Sequence, residues 1–274
     1  MSKFQNTDYL KTQQYAHSGN LAARIRLHEQ FSTNTESVHR WQFDRVLKAA
    51  PADARILEVG AGRGDLWKQN AERIPSGWQI TLSDLSAGML DDCQRHLGEE
   101  VSGRFSFEVV DVQKIPYPDQ TFDVVIANYM LYHVPDLPKA LSEIRRVLKP
   151  NGVLFAMTNG DNHIIELEQL INRFNDKAGS GFGLMGVRFA FTLQNGADHL
   201  RPYFTDIQRE DFESNLHITQ LQPLLNYIAS SVDSLEIMEQ PNAKALIDEL
   251  RHRLDTDGAI DVRKETGLFT ARRT

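Results

Sequence analysis

Arg55-Ile56-Leu57-Glu58-Val59-Gly60-Ala61-Gly62-Arg63-Gly64 is the stretch that decides how this chain folds. An apolar run with β-branched Ile56 and Val59 predicts a buried strand, and the run stops at three glycines on alternate positions. Glycine takes positive φ freely and has no Cβ, so the backbone can turn sharply there and a ligand can lie against it. Asp65, Leu66, Trp67 and Lys68 then read as a first helical turn. Strand, glycine turn and helix form the opening unit of an α/β sheet whose ligand sits at the strand's carboxyl end.

The spacing narrows the ligand. A dinucleotide fingerprint, G-x-G-x-x-G, needs its third glycine at position 65, where Asp65 would repel a pyrophosphate. The Gly-Lys-Ser/Thr of a P-loop is also missing. What remains is G-x-G-x-G, with the acid Glu58 inside the preceding strand.

Outward from this stretch the chain alternates strand and helix, which predicts a parallel sheet. Further strands are expected at 78–84, 105–111, 122–128 and 153–157, with helices over 86–97 and 138–148 between them. The alternation then breaks. A helix from Asp161 or Asn162 to Phe174, a glycine-rich stretch at 179–186 and a helical stretch at 193–201 form an insertion. A sixth strand is expected over 205–217, helices over 221–228 and 243–254, and closing strands at 260–265 and 268–271, the last antiparallel. Residues 1–50 read as amphipathic helices, with Leu21, Ile25 and His28 at helical spacing. The expected organisation is an N-terminal helical lid over 1–50, a core of 51–158 and 203–274, and a cap insertion at 159–202 over the site.

Composition bounds the rest. The 274 residues are 41% hydrophobic and 24% charged, as in ordinary globular proteins, and the net charge of -7 argues against a nucleic-acid partner. The single Cys93 excludes an internal disulfide and a cysteine-built metal site, and no metal is expected. No apolar run reaches membrane-span length, and Met1-Ser2-Lys3-Phe4-Gln5 does not open a signal peptide, so a cytoplasmic location is expected.

Three polar residues end successive strands: Asp84, Asp111 and Asn128. All three can line one crevice beside the glycine turn. A carboxylate such as Asp84 accepts from both ribose hydroxyls, as it would equally for NAD. Asp111 followed by Val112 suits an adenine, the carboxylate accepting from the exocyclic amine and a backbone N–H donating to a ring nitrogen. Any one such acid can instead be a helix cap or a solvated turn. His133, in Asn128-Tyr129-Met130-Leu131-Tyr132-His133-Val134, is the candidate general base by position, or else a histidine that fixes its loop. Tyr129 is pocket wall or packing. Trp67 and Met89 are core or adenine-side packing.

Leu57 to Gly64, the strand-end Asp84, Asp111-Val112, Phe122 to Asn128 and Leu148 to Leu154 resemble, in order, the successive motifs of class I S-adenosylmethionine-dependent methyltransferases. The resemblance is closest to small-molecule enzymes of the ubiquinone/menaquinone-biosynthesis type and covers residues 55–158. Asn151 departs from it, standing where a second glycine is more usual; Asn also tolerates left-handed geometry. The fold implied is Rossmann-like and doubly wound, a mostly parallel seven-stranded sheet with an antiparallel last strand. The cofactor implied is S-adenosyl-L-methionine. Glu58, Gly60 and Gly62 are then expected around its methionine part, Asp84 at the ribose, Asp111 and Val112 at the adenine, and Asn128 at the sulfonium. Ala61, Leu85, Met89 and Tyr129 complete the expected contacts, with Tyr15 and Arg24 reaching in from the lid.

The implied activity is methyl transfer to a small molecule by direct in-line displacement. Phe182, Met185, Phe189 and Phe191 point to an apolar or aromatic acceptor. Rival readings are a same-fold enzyme that cyclises or lyses S-adenosylmethionine, releasing methylthioadenosine, and a non-catalytic module that only binds it. An NAD oxidoreductase is disfavoured by Asp65.

Overall fold

A computed structural model of the chain describes residues 19–174, 190–230 and 243–274. Tyr15 and the stretch carrying Phe182, Met185 and Phe189 lie outside the described residues.

Helices α1 (Gly19–Phe31) and α2 (Val38–Ala49) precede β1 (Arg55–Val59). The alternating unit continues through α3 (Asp65–Lys68), β2 (Gln79–Asp84), α4 (Ala87–Leu97), α5 (Glu99–Ser102) and β3 (Phe105–Val109). On the other side of β1 come β4 (Phe122–Asn128), α6 (Leu137–Val147) and β5 (Leu148–Asn159). Then follow α7 (Ile165–Asn172), α8 (Gly196–Leu200), β6 (Thr205–Asp211), β7 (Asn215–Ile218), α9 (Leu221–Ala229), α10 (Ala243–Asp257), β8 (Ile260–Arg263) and β9 (Thr266–Arg272).

Seven strands form one sheet in the order β3-β2-β1-β4-β5-β9-β6. β1 pairs parallel with both β2 and β4, and the parallel pairing extends to β3 and β5. β9 is antiparallel to β5 and to β6, so β6 runs with the parallel set and β9 alone is reversed. The mostly parallel seven-stranded sheet with a reversed last strand is therefore as expected. Strand order reverses between β1 and β4, and the crevice at their carboxyl ends is where such sheets bind ligands.

Alternation along β1 explains its burial on both faces. Ile56 packs with Trp41, Val46, Trp67 and Cys93 on one face, and Leu57 and Val59 pack with Leu141 and Ile144 on the other. Burial of each such side chain is worth about 1.5–3 kcal/mol before entropy is counted. The α6 helix shows the local logic: the Asp136 side chain caps it by accepting from the Lys139 N–H, and Pro138 sits in its first turn. Leu137, Ala140, Leu141, Ile144 and Val147 then fall on its buried face.

Several expectations are corrected. Residues 205–217 do not make one strand. The chain leaves the sheet after Asp211, because Phe212 is buried against Trp41 with ring centroids 5.3 Å apart. Its continuation, β7, pairs antiparallel with β8 in a separate two-stranded sheet, which also removes 260–265 from the main sheet. β3 stops at Val109, so Asp111 lies beyond the strand proper, and β5 begins at Leu148 rather than at Val153. Helix α7 starts only at Ile165, after Ile164 at φ 57°, and the helical stretch near 193–201 shortens to Gly196–Leu200. Phe191 is wholly buried against Phe269 in the core beneath the sheet, not on the acceptor side.

A third apolar cluster stands apart from the two sheet faces. It joins Leu27 and Phe31 of α1, Leu170 and Ile171 of α7, Leu216 of β7, Leu224 and Ile228 of α9, Leu246 and Leu250 of α10, and Val262 of β8. Segments drawn from the N-terminal, insertion and C-terminal parts of the chain thus share one core. Among the described residues no helix is long and apolar enough to cross a membrane.

Candidate active site

A cavity of about 620 Å³ opens at the carboxyl ends of β1, β2 and β4 and continues under α1 to Tyr227, His163 and Lys264. That volume is in the range of small-molecule sites. Glu58, Gly60, Ala61, Gly62, Asp84, Leu85, Met89, Asp111, Val112, Asn128, Tyr129, Arg24 and His133 all line it.

The glycine turn is built as its sequence requires. Gly60 and Gly62 sit at φ 67° and 56°, where a side chain is strained. A Cβ on Gly60 would stand 2.9 Å from the Met130 Cβ, and one on Gly62 would stand 3.1 Å from the Leu21 Cδ2 of α1. The Ala61 N–H donates to the Ser83 carbonyl at 2.8 Å and ties the turn to β2. Asp84 holds it from the other side: its Oδ2 accepts from the Gly62 N–H at 3.2 Å and its Oδ1 from the Ser86 N–H at 3.0 Å. Burial pushes the Asp84 carboxyl up. Each carboxylate oxygen has two lone pairs, so acceptor capacity remains for a ligand hydroxyl.

Glu58 is buried, 2% exposed. Its Oε2 accepts from the Trp67 indole N–H at 2.5 Å and its Oε1 from the Asn128 Nδ2 at 3.1 Å. Asn128 is itself paired with Gln42 of α2, accepting at 2.7 Å and donating at 3.1 Å. Burial overrides these hydrogen bonds and raises the Glu58 pKa to about 8. A cation beside Glu58 would reverse that balance. Trp67 is fully buried between Phe43 and Phe105, so it belongs to the core behind Glu58 and not to the adenine side.

At the other end of the crevice, Asp111 is exposed and its Oδ1 accepts from the Gln113 N–H at 2.9 Å and the Gln113 Nε2 at 3.1 Å. Val112 is buried beside it, and the Met89 N–H is held by the Ser86 Oγ at 3.2 Å. Tyr129 stands at φ 53° after β4, and burial raises its phenol to about 12 against a hydrogen bond with Thr266. His133 ends the tight turn Leu131–His133, its ring edge-on to Tyr132 at 4.5 Å. Arg24 lines the cavity while its Nη2 donates to the Ser230 carbonyl at 2.5 Å, bracing α1 against the end of α9.

Sequence reading missed the far wall of the cavity. His163, Tyr227 and Lys264 come from three distant parts of the chain, and none sits in a motif; of this group only His28 carried a signal, its helical spacing on α1. Among the described residues no group of three or more His, Cys, Asp or Glu side chains is placed to hold a metal.

Residues 57–156 match the family model described as a methyltransferase domain. The chain is 34% identical over 110 residues to the ubiquinone/menaquinone biosynthesis C-methyltransferase UbiE of Cellvibrio japonicus, covering 40% of this chain and 44% of that protein. It thus spans about half the length of the curated relatives it matches. Among solved structures, phosphoethanolamine N-methyltransferase 2 of Haemonchus contortus, in complex with S-adenosyl-L-methionine, superposes with a TM-score of 0.59 at 20% identity. That likeness covers 100% of this chain and 60% of the other. The [4+2]-cyclase SpnF superposes at 0.52 and 18% identity, covering 93% and 95%.

Proposed function

We propose that this chain, whose central domain and sheet belong to the class I S-adenosylmethionine-dependent methyltransferases of the small-molecule type, transfers a methyl group to a small acceptor by direct in-line displacement. The observation that carries the reading is one continuous cavity, joining the glycine turn and strand-end acids to a separately built polar chamber.

The residues fit S-adenosyl-L-methionine. The turn is a cradle that a Cβ would fill, with the buried Glu58 on one side of it and the half-buried Asp84 on the other. When bound, this cofactor supplies an electrophilic methyl carbon on a sulfonium. Glu58 and the backbone of Gly60, Ala61 and Gly62 would hold its methionine end, and Asp84 with Leu85 its ribose. Asp111, Val112 and Met89 would take the adenine. Asn128 acts through Glu58, which it orients by hydrogen bonding, and Tyr129 forms the wall on the sulfonium side.

With an activated donor, the chain's work is to align the acceptor and exclude water. Leu21 and Met130 close over the glycine turn and do the second task. His133 is placed at the cavity wall to take a proton from a hydroxyl or amine acceptor.

Incubation of the purified chain with S-adenosylmethionine and a metabolite extract tests the reading through its products. S-adenosylhomocysteine is expected; methylthioadenosine would favour cyclisation or lysis, and binding without turnover a sensor. Asp84→Ala should weaken S-adenosylmethionine binding by about 1–3 kcal/mol, the usual result of stranding buried polar partners. An unchanged affinity in calorimetry removes the ribose assignment.

A further inference from the structure

We infer that the end of the cavity remote from the glycine turn is a receptor for an anionic group on the methyl acceptor, a carboxylate or a phosphate monoester, with Lys264 as its cation and the neutral His163 ring beside it. The assignment to the acceptor rests on the function proposed above; the anion site itself rests on the chamber.

Lys264 lies in the short link between β8 and β9 and lines the cavity, where its ammonium has one hydrogen bond among the described residues, to the Ser214 Oγ at 3.4 Å. An ammonium has three donors, and no carboxylate among the described residues forms an ion pair with this one. Three acids on the surrounding elements have other partners. Glu166 pairs with Arg263 at 3.5 Å, and the Glu265 carboxylate accepts from the Asn162 and Gln194 amides at 3.2 and 3.3 Å. Glu29, on α1, accepts from Gln69 at 3.1 Å. A half-buried cation without a counter-ion is an unfavourable arrangement that an arriving anion relieves. Burial lowers the Lys264 pKa to about 8, which leaves it charged at neutral pH.

His163 is 6% exposed, and its Nδ1 is held against the Glu265 backbone. The Glu265 carbonyl already accepts from the Gly160 N–H at 3.0 Å. The Glu265 N–H has no other acceptor among the described residues than the His163 Nδ1, at 3.2 Å. The His163 Nδ1 also lies 3.0 Å from the Glu265 carbonyl, which has a second lone pair, so the ring is anchored to the Glu265 backbone in either tautomer, and its Nε2 has no protein partner among the described residues. Burial and the Lys264 charge hold the His163 pKa near 4, so the ring is neutral. His28 lies 5.9 Å away by ring centroids, with a buried Nδ1 that has no hydrogen bond. Arg24 adds a second positive charge to the same wall. A wall with two cations, two neutral imidazoles and, among the described residues, no carboxylate in an ion pair with Lys264 suits an anion and disfavours an ammonium.

The experiment titrates the full chain, saturated with S-adenosylhomocysteine, with benzoate, phenyl phosphate and neutral benzamide by calorimetry. At least one anion should bind ten-fold or more tighter than benzamide, benzoate marking a carboxylate receptor and phenyl phosphate a phosphate receptor. Lys264→Met should weaken that anion at least ten-fold, and Lys264→Arg should restore most of the loss. Lys264→Gln provides a second variant should Lys264→Met fail to fold, with a comparable weakening expected. Anions binding no better than benzamide, or binding equally to wild type and variants, overturn the inference. Failure of S-adenosylhomocysteine itself to bind would count against the proposed function instead, and the anion titration is then run without it.

Discussion

Glu58 carries the sharpest consequence of a single residue. With a pKa raised to about 8 by burial, it is mostly protonated in the free protein at neutral pH. A raised carboxyl pKa means that its contribution to folding is fully present below the ordinary value of 4.5 and is lost as pH rises through about 8. A cationic ligand favours the carboxylate, so binding must lower that pKa and expel a proton. Calorimetry at pH 7 in buffers of different ionisation enthalpy should therefore show release of up to one proton per S-adenosylmethionine bound. The affinity should rise with pH up to about 8 and then level. Release that persists in Glu58→Gln would assign the proton to another group.

The glycine turn is the element on which the cofactor end depends. Its backbone is held in the left-handed region at Gly60, with Met130 pressed against the space a side chain would occupy. Gly60→Ala should cost roughly 1–2 kcal/mol from backbone strain alone, and the Met130 contact adds to it. The expected outcome is a lowered unfolding midpoint together with S-adenosylmethionine binding weakened by more than ten-fold. A variant with wild-type affinity would show that the turn is only a structural link. The link between β8 and β9 makes a contrasting case. It has no glycine turn and no motif before Thr266-Gly267, yet its position beside α1 and α7 puts Lys264 into the cavity.

At the scale of the molecule, the cavity lies between two differently built bodies of packing: the sheet with its flanking helices, and the third cluster of α1, α7, α9, α10, β7 and β8. A ligand that fills it touches both. Saturation at a hundred times the dissociation constant stabilises the native state by about 2.7 kcal/mol, which corresponds to roughly 5–10 °C in the midpoint of a chain this size. Hydrogen exchange should show the gain in α1 and α9 as well as in β1 and β4. Protection confined to the sheet would mean that the third cluster does not close on the cofactor.

The amino-acid order alone determined the parallel sheet, the turn at Gly60 to Gly64 and the acids around it, because each is written locally: alternating burial along a strand, glycines where φ must be positive, a polar residue where a strand ends. It also led to one error of register, since Thr205 to His217 keeps its alternation across Phe212 although Trp41, far away in the chain, draws that residue out of the sheet. The far chamber of the cavity belongs entirely to the tertiary structure. His28, His163, Tyr227 and Lys264 are up to 236 positions apart, counting from 28 to 264, and beyond the helical spacing of His28 no local pattern marks them. Their chemistry arises from burial and from one another's proximity, and both are decided only when α1, α7, α9 and the β8–β9 link pack together.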